Sequence, residues 1–100
     1  MYEMANLKKF KRLGDLAPEA FHSFVAFDEA AFKGRAIPLK YKELMAVAVA
    51  LTTQCPYCIE IHAKKARQAG ATEQELAETT LVAAALRAGG AVTHGTHTLE

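Results

Sequence analysis

The chain has no tryptophan, three prolines and two cysteines in 100 residues. No segment alternates apolar and polar residues for long, so half-buried strands are not expected. No apolar run is long enough to cross a bilayer, and no membrane partner is expected. Neither sign of charge dominates: 12 Lys+Arg face 11 Asp+Glu, a formal net charge of +1. That balance lacks the basic footprint of a nucleic-acid or anionic-surface binder. The opening residues, Met1-Tyr2-Glu3-Met4-Ala5-Asn6-Leu7, lack the apolar run of a signal peptide, so a cytoplasmic location is expected. Two cysteines in such a chain are expected to be catalytic or metal-binding rather than a structural staple.

What is present is apolar. A hydrophobic fraction of 51% is high for one short domain, expected to span residues 1–100. Surplus apolar surface usually goes into a subunit interface, so a homo-oligomer is expected. Leu7, Phe10, Leu13 and Leu16, with basic residues between them, predict a short amphipathic helix interrupted at Gly14-Asp15. Ala17-Pro18-Glu19 opens a second helix with a wide aromatic face (Phe21, Phe24, Phe27, Phe32), expected to be core or interface and ended by Gly34. His22 beside that face has no partner in sequence. A third helix opens at Ile37-Pro38-Leu39 and is apolar nearly all round from Tyr41 to Leu51, which predicts burial on every side. Glu43 stands at its head. Facing inward it must be paired or protonated, and facing outward it is an ordinary surface glutamate.

A fourth helix is expected over residues 56–68, capped by Gly70, and a fifth opens with the capping box Thr72-Glu73-Gln74-Glu75. Gly89-Gly90 is expected to bend or break the fifth before a last apolar turn carrying His94. The chain reads as all-α, a bundle of five to six short helices.

The chemistry concentrates in Gln54-Cys55-Pro56-Tyr57-Cys58-Ile59-Glu60-Ile61-His62. Pro56 suits the first position of a helix, which puts Cys58 in the first turn and His62 one turn on along the same face. Unpaired N–H groups at the helix start favour the Cys58 thiolate, and His62 is placed to exchange its proton. Cys55, three residues back, is close enough to close a disulfide. This is the pattern of a thiol–disulfide redox site. Two other readings compete with it. Cys55, Cys58 and His62, with Glu43 or His94 as a fourth ligand, would be an incomplete zinc site in a non-enzymatic metal-binding or assembly module. Alternatively, both cysteines are buried packing residues. A thioredoxin-like fold does not fit, because an apolar helix precedes the pair where that fold needs a strand.

Glu43, eleven residues, Cys55-Pro56-Tyr57-Cys58, three residues, then His62 resembles the E-x11-C-x2-C-x3-H pattern of the alkylhydroperoxidase D-like family, also filed under carboxymuconolactone decarboxylase. The likeness runs over about residues 18–97. It implies an all-α fold assembled as dimers, trimers or hexamers, and a thiol-dependent peroxidase with no cofactor or metal. In that pattern Glu43 orients His62 and stabilises its charged form. His62 deprotonates Cys58, and Cys58 attacks a hydroperoxide and is resolved by Cys55. A dithiol reductant, lipoyl-bearing or thioredoxin-like, then reopens the disulfide. A protein disulfide reductase is the alternative use of the same pair. Tyr57, where members with peroxidase activity often carry histidine, and His94 are candidate pocket residues.

Overall fold

The computed structural model describes residues 2–100. A 3-10 segment, Met4–Lys9, leads into α1, Phe10–Leu16. Four longer helices follow: α2 (Pro18–Phe32), α3 (Leu39–Thr53), α4 (Pro56–Gln68) and α5 (Glu73–Gly95), before a closing 3-10 turn at Thr96–Thr98. Among the described residues there is no strand, so the all-α expectation holds.

Local sequence explains most of the boundaries. Pro18 and Pro56 open α2 and α4 at positions where the missing N–H leaves no bond unmade. Helix α4 ends in a Schellman turn around Gly70, whose φ is +100°. The Ala71 N–H donates to the Ala66 carbonyl at 2.9 Å and the Gly70 N–H to that of Arg67 at 3.0 Å. Helix α5 starts on the expected capping box: the Thr72 N–H donates to Glu75 Oε1 at 2.9 Å, and the Glu75 N–H to Thr72 Oγ1 at 3.0 Å. Glu75 also pairs with Lys40 at 3.0 Å, which ties the heads of α5 and α3 together.

The core is a single stripe of α3. Leu44, Val47 and Ala50, with Glu43 among them, face α4 and α5, where Ala66 and Ala83 are buried. The small side chains of these alanines let the helices approach closely. The expectation that α3 is buried on every side is not met. Tyr41, Met45 and Val49, four residues apart on the opposite face, are exposed, because α2 crosses α3 only near its own C-terminal end. The aromatic face of α2 is likewise open, with Phe27 71% exposed. The protomer has a radius of gyration of 16.7 Å, well above the roughly 13 Å of a compact 100-residue domain.

Two glycine expectations are corrected. Helix α1 runs through Gly14, which is buried against the Phe21 ring; a Cβ there would lie 2.9 Å from Phe21 Cδ1. The glycine serves a close approach between α1 and α2 rather than an interruption. Helix α5 continues unbroken through Gly89 and Gly90 for 23 residues. Two glycines weaken a helix by about 1 kcal/mol each. That is too little to break one carried by Leu86 and Ala88 before the pair and Ala91 and Val92 after it.

Replacing Thr72 with alanine removes the acceptor for the Glu75 N–H. The substitution is expected to lower stability by about 1 kcal/mol, read as a lower midpoint in urea with an unchanged slope.

Candidate functional site

Three elements converge on one imidazole. His62 on α4 is held by Glu43 of α3, with Nδ1 2.7 Å from Oε1 and 3.4 Å from Oε2. A carboxylate only accepts, so the short contact makes Nδ1 the protonated nitrogen and leaves Nε2 as the one that exchanges a proton. Glu43 is 2% exposed, so the inward alternative is the correct one and the buried carboxylate is paired as it must be. The Phe32 ring at the end of α2 stacks on the imidazole, with centroids 5.0 Å apart and planes 9° from parallel. Lys42 puts it there. Its Nζ donates to the carbonyls of Ala31 at 2.8 Å and Lys33 at 2.6 Å, closing the C-terminal end of α2 with a cation.

The cysteines sit at the start of α4. Gln54 takes a left-handed conformation (φ +56°) that ends α3 and swings the chain so that Cys55 becomes the N-cap of α4. The Cys58 N–H donates to Cys55 Sγ at 3.4 Å, and the two sulfurs of these free thiols lie 2.9 Å apart. The hydrogen bond from the Cys58 thiol, and then the Cys58 backbone N–H, draw the Cys55 thiol below its ordinary pKa. Cys58 moves the other way, pushed up to about 11 by its hydrogen bond to Cys55, by burial and by the neighbouring sulfur's charge. In this geometry the helix start favours the Cys55 thiolate, not that of Cys58. Cysteine has taken the capping role usually filled by serine or aspartate, so it receives the N–H that was expected to serve Cys58.

The remaining residues sort as follows. Cys58 and His62 share a face of α4, although among the described residues no direct hydrogen bond joins them. Tyr57, between the cysteines, accepts at its hydroxyl from the Asn6 side chain at 3.0 Å and from the Glu3 N–H at 3.2 Å. His94 is exposed at the far end of α5, with Nδ1 3.1 Å from the Gly90 carbonyl and its ring 5.8 Å from that of His97; its contacts are not with the cysteines. His22 is exposed. Among the described residues no three of His, Cys, Asp or Glu converge as ligands of one metal ion. A groove of about 480 Å³, lined by Phe32, Lys33, Leu39, Glu43 and Lys65, reaches the carboxylate end of the relay rather than its sulfur end.

Sequence reasoning found Glu43, Cys55, Cys58 and His62 but missed Phe32, Lys42 and Asn6. Lys42 offered a signal, as a cation beside Glu43 on an otherwise apolar helix. The approach of Asn6 to Tyr57 across 51 residues offered none.

The fold and the paired cysteines beside a carboxylate–histidine pair define a class of small all-α proteins. Residues 18–100 match the carboxymuconolactone decarboxylase family. The chain belongs to that family. It is 46% identical over 77 residues to uncharacterized protein 4 in the cox locus of Paracoccus denitrificans, covering 77% of this chain and 69% of that longer one. A crystal structure of a Methanobacterium thermoautotrophicum protein superposes with a TM-score of 0.81 at 36% identity, covering 86% of this chain and 97% of that one. An apo crystal structure of a carboxymuconolactone decarboxylase family protein from Legionella pneumophila gives 0.76 at 34%, covering 80% and 71%.

The two thiols are expected to ionise in separate steps. Thiolate absorbance should show a first step below the ordinary thiol range and a second near 11. Cys55→Ser should bring the Cys58 step down from about 11, because the neighbouring sulfur is the main cause of its elevation. A single step accounting for both thiols in the unsubstituted chain would contradict the shared-proton geometry.

Proposed function

We propose that the protein is a dithiol oxidoreductase that reduces small hydroperoxides. The observation that carries this is the pairing of two free thiols at 2.9 Å with an imidazole held by a buried carboxylate one helical turn away. Neither part would need the other in a purely structural role.

The cycle begins with the proton shared between the sulfurs. Because the resting geometry favours the Cys55 thiolate, Cys58 becomes the nucleophile only when its proton leaves, and Nε2 of His62 is the base on its face. The Cys58 thiolate attacks the terminal peroxide oxygen and the O–O bond breaks. The leaving alkoxide takes the proton from His62, giving an alcohol, or water when the oxidant is hydrogen peroxide. Cys58 is left as a sulfenic acid. The Cys55 thiolate then attacks that sulfur and forms the disulfide, expelling hydroxide, which takes a proton from solvent and leaves as water. A dithiol reductant, lipoyl-bearing or thioredoxin-like, restores both thiols by exchange. Glu43 keeps His62 in the tautomer and orientation the proton transfers need. No cofactor or metal takes part.

The protomer is further proposed to act as a homo-oligomer, a trimer or hexamer. The support is the open apolar face of α3, the exposed Phe24 and Phe27 of α2, and Leu81, Val82 and Leu86 of α5. Among the described residues no helix is long and apolar enough to cross a membrane. A soluble cytoplasmic enzyme is the reading that fits.

One equivalent of cumene hydroperoxide is expected to remove both thiols and lower the intact mass by about 2 Da, the two thiol hydrogens. Cys58→Ser should abolish turnover, and Glu43→Gln should lower the rate about 10- to 100-fold with a changed pH profile. Thiols inert to peroxide but oxidised by oxidised lipoamide would move the assignment to a disulfide reductase. Full activity in Cys58→Ser would remove Cys58 as the nucleophile. Sedimentation should show three or more protomers together, and a monomer would contradict the interface.

A further inference from the structure

Residues 2–6 lie outside the family match, which begins at residue 18, yet they reach the turn that carries the two cysteines. Tyr57, the residue between the cysteines, receives the Asn6 side-chain amide at 3.0 Å and the Glu3 N–H at 3.2 Å on its hydroxyl. The Tyr2 ring packs edge-on against the Tyr57 ring at 4.8 Å. The Tyr2 hydroxyl donates to Glu60 Oε2 at 2.8 Å, three residues further along α4. That carboxylate holds the Tyr2 phenol above its usual range, so the donor stays protonated wherever Glu60 is charged. Four contacts from three residues, Tyr2, Glu3 and Asn6, therefore lay residues 2–6 along the face of α4 that carries Tyr57 and Glu60.

Helical geometry says what this does. Residues three apart share a face, as Tyr57 and Glu60 do, and residues four apart do, as Cys58 and His62 do. Successive residues are turned by about 100°, so the first face adjoins the second. We propose that residues 2–6 form a wall beside the cysteine face that acts as a size filter for Cys55 and Cys58. Tyr2 and Asn6 are its specificity-determining residues. Small hydroperoxides, and thiols presented on slender arms, pass it. The broad surface of a folded protein, which would have to lie flat across the first turn of α4, meets the wall instead, so of the two proposed reductants the filter selects the lipoyl arm over the thioredoxin-like protein. The contacts are few and two of the hydrogen bonds are exposed, so the wall opens locally without disturbing the α3–α4 core.

The filter concerns access to the thiols and does not depend on the proposed turnover, so it is tested without it. The fully reduced 100-residue chain is compared with its Tyr2→Ala/Asn6→Ala variant for the rate of reaction with N-ethylmaleimide and with a maleimide fixed by a short linker to the surface of a folded globular protein. The warhead is the same and only the bulk differs. The double variant should react roughly tenfold faster with the bulky reagent while the small-reagent rate changes by less than about twofold. Tyr2→Phe, which keeps the ring and loses the hydrogen bond to Glu60, should fall between the two. Equal acceleration of both reagents would mean general loosening of the thiols and would overturn the filter, as would an unchanged ratio. Should the double variant fold poorly by circular dichroism, Asn6→Ala alone, which removes one contact from the Tyr57 hydroxyl, carries the same comparison.

Discussion

A carboxylate buried at the head of the apolar stripe that forms the core constrains this protein more than any other feature. Glu43 lies on the same face of α3 as Leu44, Val47 and Ala50, so packing α3 against α4 buries the charge together with the core. Left alone it would be strongly destabilising. With one partner of such a pair removed, the loss is about 3–5 kcal/mol, a large part of the stability of a domain this size. The core can therefore form only with His62 opposite Glu43, which fixes both the register of α4 on α3 and the orientation of the imidazole. The site and the core are one object. Phe32 extends the same constraint to α2, because its ring covers the imidazole face that α3 and α4 leave open.

The start of α4 shows a competition that residue types alone do not decide. A helix has several unpaired N–H groups at its start and one N-cap side chain to receive them. When the capping residue is itself a cysteine, it takes the Cys58 N–H and with it the stabilisation of negative charge. The second cysteine, three residues on, is then both a hydrogen-bond donor to that thiolate and repelled by it. Its pKa rises as that of its neighbour falls. In a dithiol arranged this way the two ionisations are coupled, and neither thiol titrates independently. Under the proposed function, ionising Cys58 takes a base outside the pair, the role proposed for His62 held by Glu43, which a low-pKa Cys58 would not have needed.

How far the sequence was legible follows the range of each interaction. The Thr72–Glu75 capping box, Pro56 at the first position of α4 and Gly70 at its end are settled within four residues, and each stands where the pattern placed it. The Glu43–His62 pair is nineteen residues apart but repeats a spacing that a known family carries, so it too was legible. Gly14 and Gly89-Gly90 misled because a glycine marks low propensity without saying whether tertiary packing overrides it. At Gly14 the approaching Phe21 ring does. At Gly89-Gly90 the length of the helix does. The Tyr57 contacts with residues 2–6 had no sequence signal at all, since they join groups more than fifty residues apart.

The burial of α3 is the instructive mismatch. Its pattern is apolar on nearly every side, and a helix of that kind belongs inside a structure. In the protomer only half of it is inside. The two facts are reconciled if the inside is larger than one chain. Tyr41, Met45 and Val49 form a second apolar stripe opposite the Glu43 stripe, and the protomer leaves it uncovered. Single exposed apolar residues are ordinary, but a stripe repeated at helical spacing on the central helix is not. Because the same short helix carries Glu43 on one face and this stripe on the other, whatever covers the stripe also stiffens the helix that holds the relay. In the proposed oligomer the interface and the proposed redox site would meet in α3, with one face serving each.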